Sequence, residues 1–352
     1  MCVVYIQKKN GVFNEYIKNA DIMCVSESKV AKGTDIDEFK TFDLEKRSKK
    51  YPLPGVHGLH VYIADHLADK CDQILDTNFY CESAIWIKID KHLILGAIYV
   101  PPESSKHHDP QFYDDLNDDI AIIKLKHDLP LMIIGDLNSR TGMLNDLMIC
   151  EKNDMIDKSS FKFPDIKNMF TSLNVLLNWT NKDTKVNNIG KRLIEMCKLQ
   201  DLCIVNGRFG SDKHIGNTTC AEASTIDYVI CTPDLFPNIT DFNIDTFCDQ
   251  LSDKHNPIIV NLNIASNQTQ ANNPTPPNNI PTNETYVKCK WDESKKDEYE
   301  VSFDMNKIND IIQTLSNINT NKITQDRMDN INSDLNNIFM EPAKNTGMYK
   351  NL

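Results

Sequence analysis

LPLMIIGDLN, residues 129–138, runs six apolar residues into a Gly-Asp-Leu-Asn ending. The apolar part is continuous rather than alternating, which suits a strand covered on both faces. The same construction recurs along the chain. DIMCVSE (21–27), LHVYIA (59–64), SAIWIKI (83–89), LILGAIYV (93–100), DLCIVNG (201–207), TIDYVIC (225–231) and PIIVNLNI (257–264) all read as strands. Helical spacing lies between them. NGVFNEYIKN (10–19) sets Phe13, Tyr16 and Ile17 on one side, and FYDDLNDDIAIIKLKH (112–127) does so with Leu116, Ile120 and Ile123. NNIGKRLIEMCKLQ (187–200) groups Ile189, Leu193 and Met196 in the same way. Strands mixed with helices, with apolar cover on both sheet faces, predict a layered α/β sandwich.

Bulk properties agree with a globular fold. Hydrophobic residues make up 40% of the 352 and charged residues 25%. No apolar run reaches the length of a membrane span, and MCVVYIQKKN is too short in its apolar part for a signal peptide. The expectation is an intracellular protein, nuclear or cytoplasmic, with no membrane partner. The 11 cysteines are scattered, form no C-x-x-C pair and sit mostly in apolar runs, so they read as buried hydrophobes in a reducing compartment. The net charge of −12 opposes a simple nucleic-acid binder. Carboxylates gathered around a cation would contribute to such a total.

Composition changes near residue 266. The expected organisation is a catalytic domain over 1–265, an Asn/Pro/Thr-rich linker over 266–286 and a tail over 287–352. The tail carries helical spacing in MNKINDIIQTLSNI and MDNINSDLNNIF, predicting one or two helices.

Polar residues gather where the strand runs begin and end. Glu27 closes DIMCVSE, Asp136 and Asn138 close LMIIGDLN, Asp227 lies in STIDYVI, and Asp253 and His255 stand just before NPIIVNL. Strand ends aim side chains from a rigid base, and carboxylates converging there call for a cation. Mg²⁺ suits oxygen ligands, with Mn²⁺ as the substitute. Taken singly, each piece is bland: Gly, Asp and Asn favour turns. Asp227, flanked by apolar neighbours, needs a partner if buried, and His255 is available. The tetrad Ser-Asp-Lys-His occurs twice, at 211–214 and 252–255. Only the second precedes a strand, so the first is read as loop.

The ordered set E…Y-V-P-P…G-D-L-N…I-D-Y…S-D-x-H resembles the endonuclease/exonuclease/phosphatase superfamily, with its DNase-I-like fold. DIMCVSES, LGAIYVPPESS, IIGDLNSRTG, DLCIVNGR and STIDYVICTPDLFPNITDF resemble the apurinic-type endonuclease domain of non-LTR (LINE-like) retrotransposon polyproteins. The resemblance covers residues 10–265. It implies two mixed β-sheets packed together and flanked by helices. It also implies a Mg²⁺-dependent phosphodiester hydrolase that nicks DNA. Site roles follow by the same route. Glu27 and Asp253 are implied as metal ligands, Tyr99 as a phosphate contact and Asp136 as the group that activates water. Asn138 is implied to hold water and phosphate, Asp227 to support the histidine, and His255 to contact phosphate. YVKCKWDESKKDEY resembles the spacer before reverse transcriptase, but the chain shows no Y-x-D-D. The polymerase module is therefore expected to be absent from this chain.

The chain departs from that pattern in two places. Lys254 separates Asp253 from His255, and one residue inserted in a strand reverses side-chain facing unless a bulge absorbs it. No segment supplies the family's first-strand Asn ligand at the right distance, since Asn10-Gly11 lies too close to Glu27. The expectation is a domain lacking part of its first strand. An inactive copy serving as a scaffold, and a phosphatase or RNase of the same superfamily, stand as alternatives.

Overall fold

A computed structural model describes residues 2–7, 20–28, 32–44, 58–76, 78–147, 166–249, 251–264, 287–289, 293–316, 325–347 and 349–351. The chain divides into two compact units, Met1–Asn267 and Gln268–Leu352.

The first unit contains two six-stranded mixed sheets. Its strands are β1 (Cys2–Gln7), β2 (Ile22–Ser26), β3 (Phe39–Asp43), β4 (His60–Ala64), β5 (Cys71–Gln73), β6 (Ala84–Ile89), β7 (Leu93–Tyr99), β8 (Leu131–Asp136), β9 (Cys203–Ile204), β10 (Asp227–Cys231), β11 (Ile239–Ile244) and β12 (Ile258–Leu262). The first sheet has the order β11-β12-β1-β2-β4-β3, the second β5-β6-β7-β8-β10-β9. Each has one parallel pair, β1–β2 and β7–β8. Parallel neighbours need a crossover. For β7–β8 it is provided by helix α2 (Phe112–Lys126), which follows the single turn α1 (Asp65–Ala68).

Strand β1, Cys2–Gln7, lies between β12 and β2, pairing antiparallel with one and parallel with the other. The expected helix at 10–19, Asn10 within it, and the linker at 266–286 lie outside the described residues.

The core follows from the apolar runs. Between the sheets, Ile22, Cys24, Val61 and Ile63 meet Ile87, Leu95, Ala97, Ile134 and Val229. On the far side of the second sheet, Trp86, Ile94, Ile98, Ile133 and Ile230 pack against Leu116, Ile120 and Ile123 of α2. Helix α4 (Asn188–Leu199), which follows α3 (Ile166–Ser172), adds Ile189, Leu193 and Met196 to the same layer. With apolar cover on both faces, the central strands read as unbroken hydrophobic runs. Helix α2 starts with Asp114 and Asp115 and ends with Lys124 and Lys126, the charge order its dipole favours. Asn187 caps α4 by accepting from the Gly190 amide at 2.7 Å.

The expected strand over 201–207 shortens to Cys203–Ile204. Gly207 takes φ +64° and Arg208 turns away to a fully buried pair with Asp146, so the chain leaves the sheet. Strands β1, β3, β5 and β11 were not anticipated. β3 and β5 stand at sheet edges, and β11 alternates buried and accessible residues instead of running apolar throughout.

The second unit holds helices α5 (Lys296–Val301), α6 (Met305–Ser316) and α7 (Gln325–Asn345), with an antiparallel pair β13 (Val287–Cys289) and β14 (Tyr349–Asn351). The tail is thus helical, as expected, with a small sheet in addition.

Candidate active site

The motif G-D-L-N is explained position by position. A Cβ on Gly135 would lie 1.8 Å from the Ile98 carbonyl oxygen, so only glycine lets β8 approach β7 this closely. Asp136 is the last residue of β8 and is 1% exposed. Leu137 is buried in the helix-side core and donates its amide to the Ile226 carbonyl at 2.9 Å. Asn138 adopts φ +46°, a left-handed conformation that asparagine tolerates better than most residues. Its amide N–H donates to Asp136 Oδ1 at 2.9 Å, and its side-chain Nδ2 donates to the Val100 carbonyl at 2.8 Å. The turn is therefore locked on both sides.

Register then brings three strands' residues into line. Tyr99 pairs with Asp136 across β7–β8, and Asp227 pairs with Asp136 across β8–β10. Register-paired residues project to the same face of a sheet. Tyr99, Asp136 and Asp227 thus form a row on the face packed against the first sheet. Glu27 reaches this row from the first sheet, where Tyr99 Oη donates to its Oε1 at 2.5 Å. Residues 72 apart in sequence meet across the sandwich.

His255 completes the row. Its Nδ1 lies 2.9 Å from both carboxylate oxygens of Asp227. Thr219 Oγ1 accepts the amides of Ile226 and Asp227, each at 3.0 Å, fixing the approach to β10. Asn206 holds the same strand from the other side, donating to the Asp227 carbonyl and accepting from the Val229 amide. Cys220 bridges to His255 through the backbone, and its Sγ stands 3.6 Å from Nε2. Sequence reasoning missed Thr219, Asn206 and Cys220. Only Asn206 gave a signal, through N-G-R.

The extra Lys254 is absorbed without a strand flip, because 251–255 is a turn before β12. Ser252, 1% exposed, accepts the amides of Lys254 at 3.2 Å and His255 at 2.8 Å. Ala221 donates to the Lys254 carbonyl at 2.8 Å. The Lys254 and Asp253 side chains are exposed. Asp136, Asp227 and His255 form the one His/Cys/Asp/Glu group among the described residues whose ligand atoms lie within 4.8 Å of each other. Glu27 and Asp253 fall outside that group.

The first Ser-Asp-Lys-His copy has a structural role. Asp212 is fully buried and accepts the amides of Gly207 and Asn217 at 2.8 and 2.9 Å.

Burial, reinforced by the adjacent Asp227 charge, pushes the Asp136 carboxyl well above its usual range. Burial works against the His255 cation, but the charge and hydrogen bond of Asp227 outweigh it and push the imidazole up to about 12. Burial raises the Tyr99 phenol, helped by its hydrogen bond to Glu27. The row thus pairs a proton-holding carboxyl with a fixed cation.

No curated protein sequence matches the chain. Among solved structures, it is similar to the endonuclease domain of TRAS1, a telomere-specific non-LTR retrotransposon. Identity is 16%, the TM-score 0.46, and coverage 74% of this chain and 97% of that one. It is also similar to the 3'-5' exonuclease NExo from Neisseria meningitidis (10% identity, TM-score 0.48, coverage 74% and 99%). An AP endonuclease from Archaeoglobus fulgidus matches at 14% identity and TM-score 0.46, over 75% and 100% of the two chains. The sequence profile of the Endonuclease/Exonuclease/phosphatase family matches residues 9–253, from ahead of Glu27 to the turn before His255. With more than half of its length inside that match, the chain belongs to the Endonuclease/Exonuclease/phosphatase family.

Proposed function

We propose that the protein is a Mg²⁺-dependent endonuclease of the retrotransposon type, hydrolysing phosphodiester bonds in DNA. The observation that carries this reading is the row Tyr99–Asp136–Asp227, with His255 held by Asp227 and Glu27 facing it from the other sheet.

The donor set fits a divalent cation. Glu27, Asp136 and Asp227 offer hard carboxylate oxygens, and two of the three are buried side by side, an arrangement that a cation relieves. In this reading Glu27 holds Mg²⁺, with Mn²⁺ as a substitute, and Asp253 joins from the rim. The ion, when bound, neutralises charge on the phosphate.

The remaining work falls to the side chains. Burial raises the Asp136 carboxyl, which makes its ionised form a stronger base for the proton of the attacking water. His255, kept cationic by Asp227, stabilises negative charge on a phosphoryl oxygen. Asp227 orients the ring and fixes which nitrogen faces the substrate. Tyr99 and Asn138 contact the phosphate side. Their hydrogen bonds to Glu27 and the Val100 carbonyl set where they stand. Lys254 is absorbed in a turn before β12, which supports an active site over a scaffold.

The test is nicking of supercoiled plasmid with Mg²⁺ and with EDTA, beside His255→Ala and Asp136→Ala, with RNA and phosphoinositide as competitors. Nicking that requires the metal and falls in each variant by about 10²-fold or more is expected. A folded wild type that leaves plasmid intact but cleaves a competitor reassigns the substrate.

A further inference from the structure

The chain crosses from one face of the first sheet to the other at Glu27 and Ser28. In β2, Ile22 and Cys24 point between the sheets, while Met23 and Val25 point to the outer face with Tyr62. Continued alternation would send Glu27 outward and Ser28 inward. The reverse occurs. Glu27 adopts φ +51° and accepts from Tyr99 of the second sheet. Ser28 Oγ lies 2.6 Å from His60 Nε2. His60 belongs to the outer-face row of β4, paired in register with Val25 on one side and Asp43 on the other.

A left-handed turn at a residue with a side chain is unfavourable, and it persists only where its surroundings hold it. Here the outer face provides the hold. His60 is 1% exposed, and its Nδ1 lies 2.6 Å from Asp43 Oδ1. That oxygen also accepts the Gly33 amide at 2.8 Å. An imidazole that donates Nδ1–H to Asp43 has Nε2 to accept the Ser28 hydroxyl. The Ser28 amide adds a bond to the Gly58 carbonyl at 3.1 Å.

We propose that Ser28, His60 and Asp43 form a positioning relay that pins the left-handed turn and thereby aims Glu27 into the metal site. The relay rests on the reading of Glu27 as a metal ligand. Its members bond to one another on the outer face of the first sheet, away from the Tyr99–Asp136–Asp227 row. It is a support behind a ligand, the kind of partner whose loss weakens metal binding without removing a donor atom.

The probe is Mn²⁺ alone, followed by loss of the free-ion EPR signal in the full-length protein. Ser28→Ala is expected to weaken binding by about 10-fold or more, the range typical of outer-shell partners, and Ser28→Thr to restore it to within about threefold. The Ser28 amide reads the anchor separately by hydrogen exchange in metal-free protein. Exchange should be faster in Ser28→Ala and near wild type in Ser28→Thr. Wild-type Mn²⁺ affinity in Ser28→Ala, unchanged exchange, or a Ser28→Thr protein as weak as Ser28→Ala would overturn the relay. A wild type that binds no Mn²⁺ while the exchange pattern holds would remove the metal role of Glu27 and leave the anchor standing.

Discussion

At the scale of single residues, the two proposed metal ligands differ in their surroundings. Glu27 is partly buried and accepts from Tyr99, whereas Asp253 is exposed on the turn before β12. An exposed carboxylate attracts a cation through water and screening salt, and so holds it less strongly than a partly buried one. Glu27→Gln should therefore raise the Mg²⁺ concentration for half-maximal nicking by about tenfold or more, and Asp253→Ala by only about two- to fivefold. A Mg²⁺ titration of the nicking rate reads both. An Asp253→Ala curve that overlays wild type removes that residue from the ligand set, and a flat response to Glu27→Gln removes the other. The convergence of Asp136, Asp227 and His255 was legible in the sequence because each sits beside an apolar run that fixes its place. Thr219 and Cys220 were not, because a threonine and a cysteine in a loop carry no pattern until the fold sets them beside Asp227 and His255.

At the scale of elements, α2 carries a buried acid that the site does not use. Asp119 has no exposed surface and accepts the amides of Tyr80 at 2.7 Å and Cys81 at 3.1 Å, tying the helix to the loop that precedes β6. Burial outweighs those two bonds and raises its carboxyl to about 7. The folded state then binds this proton more tightly than the unfolded chain, whose value stays near the ordinary 3.8. The contribution of Asp119 to stability is fully present below the unfolded value. It is lost as pH rises towards 7 and constant above that. Asp119→Asn cannot ionise, so its deficit relative to wild type should shrink between pH 4 and pH 7. Urea midpoints of the two proteins across that range measure it, and a difference independent of pH would show that Asp119 ionises normally. The same distinction governs which elements could be read in advance. Central strands β2, β4, β6, β7, β8, β10 and β12 announce themselves by unbroken apolar runs. β3 (FKTFD) and β5 (CDQ) pair on one side only and keep polar residues, so their sequences resemble loops. Strand β1 was not anticipated for a different reason: MCVVYIQKKN was weighed as a signal peptide and for an Asn ligand.

At the scale of the whole molecule, the division into two units separates the chemistry from the tail. Glu27, Tyr99, Asp136, Asn138, Asp227, Asp253 and His255 all belong to the unit ending at Asn267. Every strand assigned to the two large sheets belongs to that unit. Among the described residues, the second unit has a two-stranded sheet, three α-helices and exposed apolar side chains at Val301, Met305, Ile312 and Phe339. A small unit buries a lower fraction of its surface than a large one and is correspondingly less stable. The two should therefore melt separately, the tail first. A chain ending at residue 264 should keep the upper transition of the full-length protein, its Mg²⁺-dependent shift and its nicking rate, while losing the lower transition. Calorimetry of both chains, with and without Mg²⁺, checks this. If the shorter chain has no upper transition, the sandwich draws stability from the tail. If it melts normally but no longer nicks, the tail contributes to the reaction through substrate, since every residue placed in the row is still present.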